Sequence, residues 1–291
     1  MIPRSFEYYA PRALDEAVSL LEKLGPEAKI LSGGQSLIPM MKLRLASPQH
    51  LVDINHIPDL NYVTEADGFL RIGALDRESD LENSPLIKSR YPLLADTTVM
   101  IADPLVRNQA TVCGNLAHGD PANDHPATML ALDAVVIAYS SRGEREIPVT
   151  SFFTGLFATD LQPDEILKEI RVPVPQPSSG GAYLKLERKV GDYATAGVAV
   201  QITLDGNGLC QRAGVGLTNV GFTPIKATKV EAFLNGKLLD DAAIKQASEI
   251  AASESQPFDD IRGSADYKRD IVRVLTARAL ARALERARGG A

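Results

Sequence analysis

Residues 28–54, AKILSGGQSLIPMMKLRLASPQHLVDI, set two short apolar runs, AKIL and LVDI, on either side of a paired-glycine segment and a proline-broken middle. The two runs have the length of strands, and SGGQS, Ser32 to Ser36, reads as the tight turn that leaves the first of them. Just upstream, Leu14, Ala17, Val18, Leu21 and Leu24 recur at helical spacing between Arg12 and Gly25, with Gly25-Pro26 as the stop. The order is therefore helix, strand, glycine turn, strand. Beyond it, GFLRIGA (68–74) and AVVIAYS (134–140) read as strands and residues 76–83 and 121–133 as helices, so the fold class is α+β.

A chain of 291 residues is too long for one small core. Its strongest internal boundary is VPVPQPSSGG (172–181), which packs three prolines, two serines and two glycines into ten residues. The expected domains are 1–177, with subdomains of about 1–57 and 58–177, and 178–291. In the second, AYLKLERK and GVAVQITLDGNGLCQRAGVGLTNVG predict a three-stranded antiparallel sheet with DGNG as a hairpin turn, closed by two helices.

Composition narrows the function. With 45% hydrophobic and 23% charged residues the chain reads as globular, and a net charge of -6 argues against a nucleic-acid partner. Two cysteines, Cys113 and Cys210, are too few for a disulfide framework, a structural zinc site or an iron–sulfur cluster. No stretch reads as a leader or a membrane span, so the expected location is the cytoplasm.

Two segments carry candidate chemistry. SGGQS lets the backbone approach a ligand and offers successive N–H groups to an anion, or is a structural turn; no GK[ST] follows, so it is not a P-loop. GVGLTNVG (214–221) has Asn219 where G-x-G-x-x-G needs its third glycine and reads as a strand. TVCGNLAHGDPANDHPA (111–127) holds His118, Asp120, Asp124 and His125, but Pro121 and Pro126 disrupt any regular ligand face, so no metal site is expected. Asp120 before Pro121 also resembles a helix start. TVCGN is a second glycine-containing turn, and two anion-binding turns suit a diphosphate, with Asp124 downstream to accept from hydroxyls. On the last helix Arg278, Arg282 and Arg286 form a basic stripe opposite Ile271, Val274 and Leu284, either a solvated face or a docking surface.

ILSGGQSLIPMMKLRLASPQHLVDI (30–54) and VRNQATVCGNLAHGDPANDHPA (106–127) resemble the two flavin-binding segments of the FAD subunit of molybdenum hydroxylases, especially of the aerobic carbon monoxide dehydrogenase type. KLERKVGDYATAGVAV (185–200) and the closing sheet-plus-helices region resemble that subunit's carboxy-terminal part, so the likeness spans nearly the whole chain. Xanthine dehydrogenase carries a similar FAD domain.

The resemblance implies a vanillyl-alcohol-oxidase-like, PCMH-type FAD fold of two α+β subdomains, with a further domain closing over the flavin ring. It implies that Ser32, Gly33, Gly34, Gln35 and Ser36, with Thr111, Val112, Cys113, Gly114 and Asn115, cradle the pyrophosphate. By the same likeness Asp124 binds the nucleotide half, Leu167 packs on the adenine side, and Lys185 and Tyr193 lie by the flavin ring as tuning and packing residues. The implied activity is that of an FAD-carrying medium subunit, an oxidoreductase component in a dimer of heterotrimers. A small iron–sulfur subunit and a large molybdenum-cofactor subunit are the implied partners, and a quinone, NAD or oxygen the acceptor. The alternatives are a self-sufficient reductase similar to the enolpyruvyl-sugar reductase, and a nucleotide-binding assembly subunit without redox role; a metal-dependent hydrolase is more distant. The family usually has glycine where Cys113 stands; a cysteine held at positive φ there would cost about 1 kcal/mol.

Overall fold

Helix Leu14–Leu24 lays Ala17, Val18 and Leu21 on a small sheet, and Gly25 ends it at a φ of 65°. The sheet is parallel, with His50–Asp53 between Glu7–Tyr9 and Ala28–Leu31. The computed structural model describes residues 2–289; residues 1, 290 and 291, at the outer ends of the expected domains, lie outside the described residues. The edge strand Glu7–Tyr9 has no counterpart in the sequence reading, because three residues are too few to show a period.

The second unit is a five-stranded antiparallel sheet in the order Val63–Ala66, Phe69–Gly73, Ile166–Pro173, Val135–Ser140, Gly143–Pro148. Short helices cover it. Glu78–Asn83 and Asp124–Leu132 fall within the ranges predicted as helical, whereas Pro85–Arg90 and Pro92–Val99 were not legible. The expected helix over 121–133 starts later than Asp120: the Asp120 side chain instead accepts from the Ala122 amide in a tight turn, and Asn123 is the N-cap. Pro126 is tolerated because it sits in the first turn, where its missing N–H is not needed.

The C-terminal sheet corrects the three-stranded expectation. Ser179–Leu186, Ala196–Leu204 and Cys210–Thr218 pair antiparallel, and a fourth, two-residue strand, Ile225–Lys226, adds to the edge. Two residues past a Thr-Pro dipeptide carry no alternation to read. Three helices, not two, close this part: Thr228–Leu234, Asp241–Glu254 and Ala265–Ala287.

All nine residues of the helix Asp124–Leu132 are buried, so it shows no polar face. It lies between the five-stranded sheet and the C-terminal sheet, whose Gly214 and Gly216 press on the backbone of Ala131 and Ala127. Its C-terminal Asp133 is held by Lys226 and Arg212 from the C-terminal sheet. Of the basic stripe on the last helix, Arg286 is engaged inside the molecule, while Arg278 and Arg282 stay exposed. Arg286 makes a two-pronged ion pair with Asp96 at 2.7 and 3.0 Å and donates to Gly181 O, and Arg282 lies 3.4 Å from the same carboxylate. Arg278 is exposed, and Val274, expected on the apolar side, is 42% exposed.

Candidate functional site

SGGQS emerges from Ala28–Leu31 as a turn, with Gly34 at a φ of 72°. Among the described residues, the amides of Gly33, Gly34, Gln35 and Ser36 donate to no other group. Facing it is TVCGN, which is not a loop but the start of the helix Val112–His118, with the Thr111 hydroxyl accepting from the Gly114 amide at 3.1 Å. Ser32 Oγ lies 3.1 Å from Thr111 Oγ1, and a Cβ built on Gly33 would sit 2.4 Å from Gln109 O. The two turns therefore touch, and only glycine fits between them.

They wall a cleft of about 470 Å³. Of the sequence-nominated residues, Ser32, Gly33, Gly34, Gln35, Ser36, Thr111, Gly114, Asn115, Asp124 and Tyr193 line it. Val112 and Cys113 point into the core beneath. Leu167, on the central strand opposite Ala138, is packed in the core and does not line the cleft. Lys185 lies just behind the lining. Sequence reasoning missed Met40, Ile101, Ala102, Val106, His118, Asn123 and Asp192 as lining residues. Of these, Asp192 and His118 had a local cue in the neighbouring Gly191 and Gly119, at φ of 79° and 67°; the Gly191 turn is pressed against Ala102 O.

Cys113 causes no backbone strain: it sits inside a helix and is absent from the positive-φ positions. Burial, then Asp76, Glu169 and Glu78, push its thiol well above the usual range, so it packs as an unreactive side chain. Burial holds the His118 imidazole below its usual pKa, against the pull of Asp120. His125 is fully buried, 2.8 Å from Glu78. Among the described residues no group of three or more His, Cys, Asp or Glu side chains is arranged to hold a metal.

One wall is fixed by Lys185, whose side chain is fully buried. Its ammonium reaches Met100 O at 2.6 Å, Asp124 Oδ2 at 3.0 Å, Asp192 O at 3.1 Å and Glu187 Oε2 at 3.3 Å, joining three segments that border the cleft. Tyr183 donates to Asp124 Oδ1 at 2.5 Å. Burial raises the Asp124 carboxyl, with Lys185 and Tyr183 opposing it. Asp192 is held down at about 2: burial works against this, and the guanidiniums of Arg188 and Arg262 outweigh it. Its carboxylate also accepts from the Tyr193 amide at 2.8 Å, setting that 44% exposed ring at the mouth.

Below the helix start at Thr111, Asp76 is 2% exposed, and burial, then Asp80 and Glu78, raise its carboxyl from 3.8 to about 8. Between those values the folded chain holds a proton that the unfolded chain has released, so stability falls as pH rises through the window. Asp76→Asn removes this titration. Its urea midpoint is expected to exceed the parent's by a margin that grows from pH 5 to pH 8; a constant margin would contradict the assignment.

The cleft suits a dinucleotide in three respects: unpaired amides on one turn, a glycine contact that keeps the opposing turn close, and a buried Asn115 Oδ1 with no partner among the described residues.

The comparisons agree with this chemistry. The family described as the FAD binding domain in molybdopterin dehydrogenase matches residues 4–175, and the CO dehydrogenase flavoprotein C-terminal domain matches residues 181–283. The carbon monoxide dehydrogenase medium chain of Hydrogenophaga pseudoflava is 45% identical over 280 residues, covering 96% of this chain and 97% of the relative. The 6-hydroxypseudooxynicotine dehydrogenase complex subunit alpha of Paenarthrobacter nicotinovorans is 38% identical, covering 99% and 97%. A solved carbon monoxide dehydrogenase from Hydrogenophaga pseudoflava, lacking the Mo-pyranopterin moiety of its cofactor, superposes with a TM-score of 0.95 at 46% identity, covering 98% of this chain and 99% of that one.

The chain thus belongs to the FAD-binding family of molybdopterin dehydrogenases. It is an FAD-carrying oxidoreductase subunit of the molybdenum hydroxylase class. Neither a self-sufficient reductase nor an assembly subunit is favoured by these matches.

Proposed function

We propose that this chain is the medium subunit of a carbon monoxide dehydrogenase-like molybdenum hydroxylase. It receives electrons from the iron–sulfur clusters of a small partner subunit and passes them to a quinone, NAD or oxygen. Substrate oxidation belongs to a large molybdenum-cofactor subunit, in a dimer of heterotrimers, and the proposed location is the cytoplasm. Among the described residues no helix is long and apolar enough to cross a membrane.

The observation that carries this reading is the pair of touching turns with four unpaired amides at the cleft. FAD, when bound, supplies the exchange between one-electron carriers and a two-electron acceptor. The amides of Gly33 to Ser36 hold the diphosphate without a salt bridge, and the Thr111 helix start faces it from the other side. Asn115 donates or accepts at the same turn. Asp124, fixed by Lys185 and Tyr183, presents a carboxyl to the nucleotide half. Tyr193 screens the mouth, while Lys185 orders the wall beside the ring and acts as no acid or base.

Reconstitution tests the electron path. The flavin of the isolated chain should stay oxidised under carbon monoxide and be reduced once the two partner subunits are added. Turnover of NADPH with an organic substrate by the chain alone would instead support the self-sufficient reductase.

A further inference from the structure

We propose that Arg77, working through Asn55, is a positioning residue that locks the two turns of the cleft at the spacing a dinucleotide diphosphate requires. The inference rests on the reading of the cleft as the FAD site.

Neither residue lines the cleft. Arg77 precedes the helix Glu78–Asn83 and pairs its backbone with Thr111, while Glu78 N donates to Ala110 O and Val112 N to Asp76 O, so residues 76–78 run alongside the second turn. From there its guanidinium forks. One arm donates to Gln109 O, the atom against which Gly33 packs, and the other to Asn55 Oδ1 at 2.6 Å. Asn55 passes the connection on: its Nδ2 donates to Ser32 O at 2.8 Å, at the root of the first turn.

The amide orientation is forced. Nδ2 faces two acceptors, Ser32 O and Asp53 Oδ1, the latter at 2.6 Å, while Oδ1 faces a donor that has no lone pair to offer; a flipped amide would lose all three bonds. Asp53 is itself anchored by the Tyr8 hydroxyl at 2.6 Å. The result is one continuous tie from the parallel sheet through Asn55 and Arg77 to the second turn, bridging segments far apart in sequence. A planar fork spans two acceptors at a fixed distance, which an ammonium does not.

The test uses the full chain with FAD and FMN, which lacks the second phosphate and the adenosine, by flavin fluorescence. Each charge-assisted tie supports an expected loss of about tenfold to 100-fold in FAD affinity for Arg77→Gln or Asn55→Ala. Arg77→Lys should recover part of it, and the double variant should lose less than the product of the singles. FMN affinity should move less than about threefold, because a single phosphate engages one turn only. Unchanged FAD affinity in a folded variant, or equal losses for FAD and FMN, would overturn the proposal. Should Arg77→Gln not fold, Arg77→Lys and Asn55→Ser make the same comparison. A parent chain that takes up no FAD would instead defeat the reading of the cleft.

Discussion

Gly33→Val is expected to leave a folded chain without bound flavin, and Gly33→Ala to weaken FAD by about tenfold to 100-fold. The reason is what an added Cβ meets: Gln109 O at 2.4 Å, Ala110 Cα at 2.8 Å and Thr111 N at 3.0 Å, all backbone of the opposing turn. No side chain can swing aside, so the turns must separate, at about 1–3 kcal/mol for this kind of overpacking and more for a branched side chain. Gly34 makes a useful contrast. Its φ of 72° penalises alanine by about 1–2 kcal/mol, but the added atom meets chiefly the flexible end of Ile38. Flavin content after gel filtration should rank the parent above Gly34→Ala, and Gly34→Ala above Gly33→Val. A Gly33→Val chain with full flavin would remove the close contact from the account.

Gly216→Val should produce the largest loss of stability. Gly216 faces the buried helix Asp124–Leu132, and its Cβ would fall 2.0 Å from Ala127 O; Gly214, one pleat away, would meet Ala131 O at 1.9 Å. Two glycines on one face of Cys210–Thr218 thus let a helix rest directly on a strand. A valine forces the layers apart, at about 3 kcal/mol or more, which lowers the melting temperature by roughly 6 °C or more in a chain of this size. The same displacement moves Asp124, at the start of that helix, away from Lys185 and Tyr183. Gly206, in the hairpin turn with nothing within 4 Å of its Cβ, is the control, and Gly206→Ala should shift the melting temperature by less than about 2 °C. Equal effects at the two positions would exclude the packing explanation.

What the sequence shows of this molecule follows the strength of local periodicity. The helix at residues 14–24, the strands Ala28–Leu31 and His50–Asp53 and the glycine turn after the first strand were readable because each carries its own pattern and punctuation, whereas the helix Leu37–Lys42 between that turn and the second strand, only six residues long with Pro39 inside it, was not. The central strand Ile166–Pro173 was not. ILKEIRVP interrupts its apolar residues with Lys168, Glu169 and Arg171, and a bulge between Leu167 and Glu169 shifts its register. Glu169 is 1% exposed and is satisfied by Tyr62 and Arg71 from neighbouring chain segments and by Arg171 two residues along its own strand. Charged residues paid for by distant partners look like surface in a linear reading.

The site divides in the same way. Paired glycines at a strand end announce a turn, so SGGQS was visible from residue type alone, whereas TVCGN, read as a second glycine turn, is the start of the helix Val112–His118. Lys185 and Tyr193 were reached only through the family resemblance, and Leu167, nominated the same way, lies in the core away from the cleft. Asn55 and Arg77 carry no motif; their role exists only once the parallel sheet and the second turn have brought Ser32 and Gln109 together.

The most direct test of the central claim is the absorbance spectrum of the purified chain after incubation with FAD and removal of the excess, with the released chromophore identified by mass. The account predicts a stoichiometric flavin spectrum from FAD, lost in Gly33→Val. A folded chain that remains colourless, or that retains equal flavin in Gly33→Val, would contradict it.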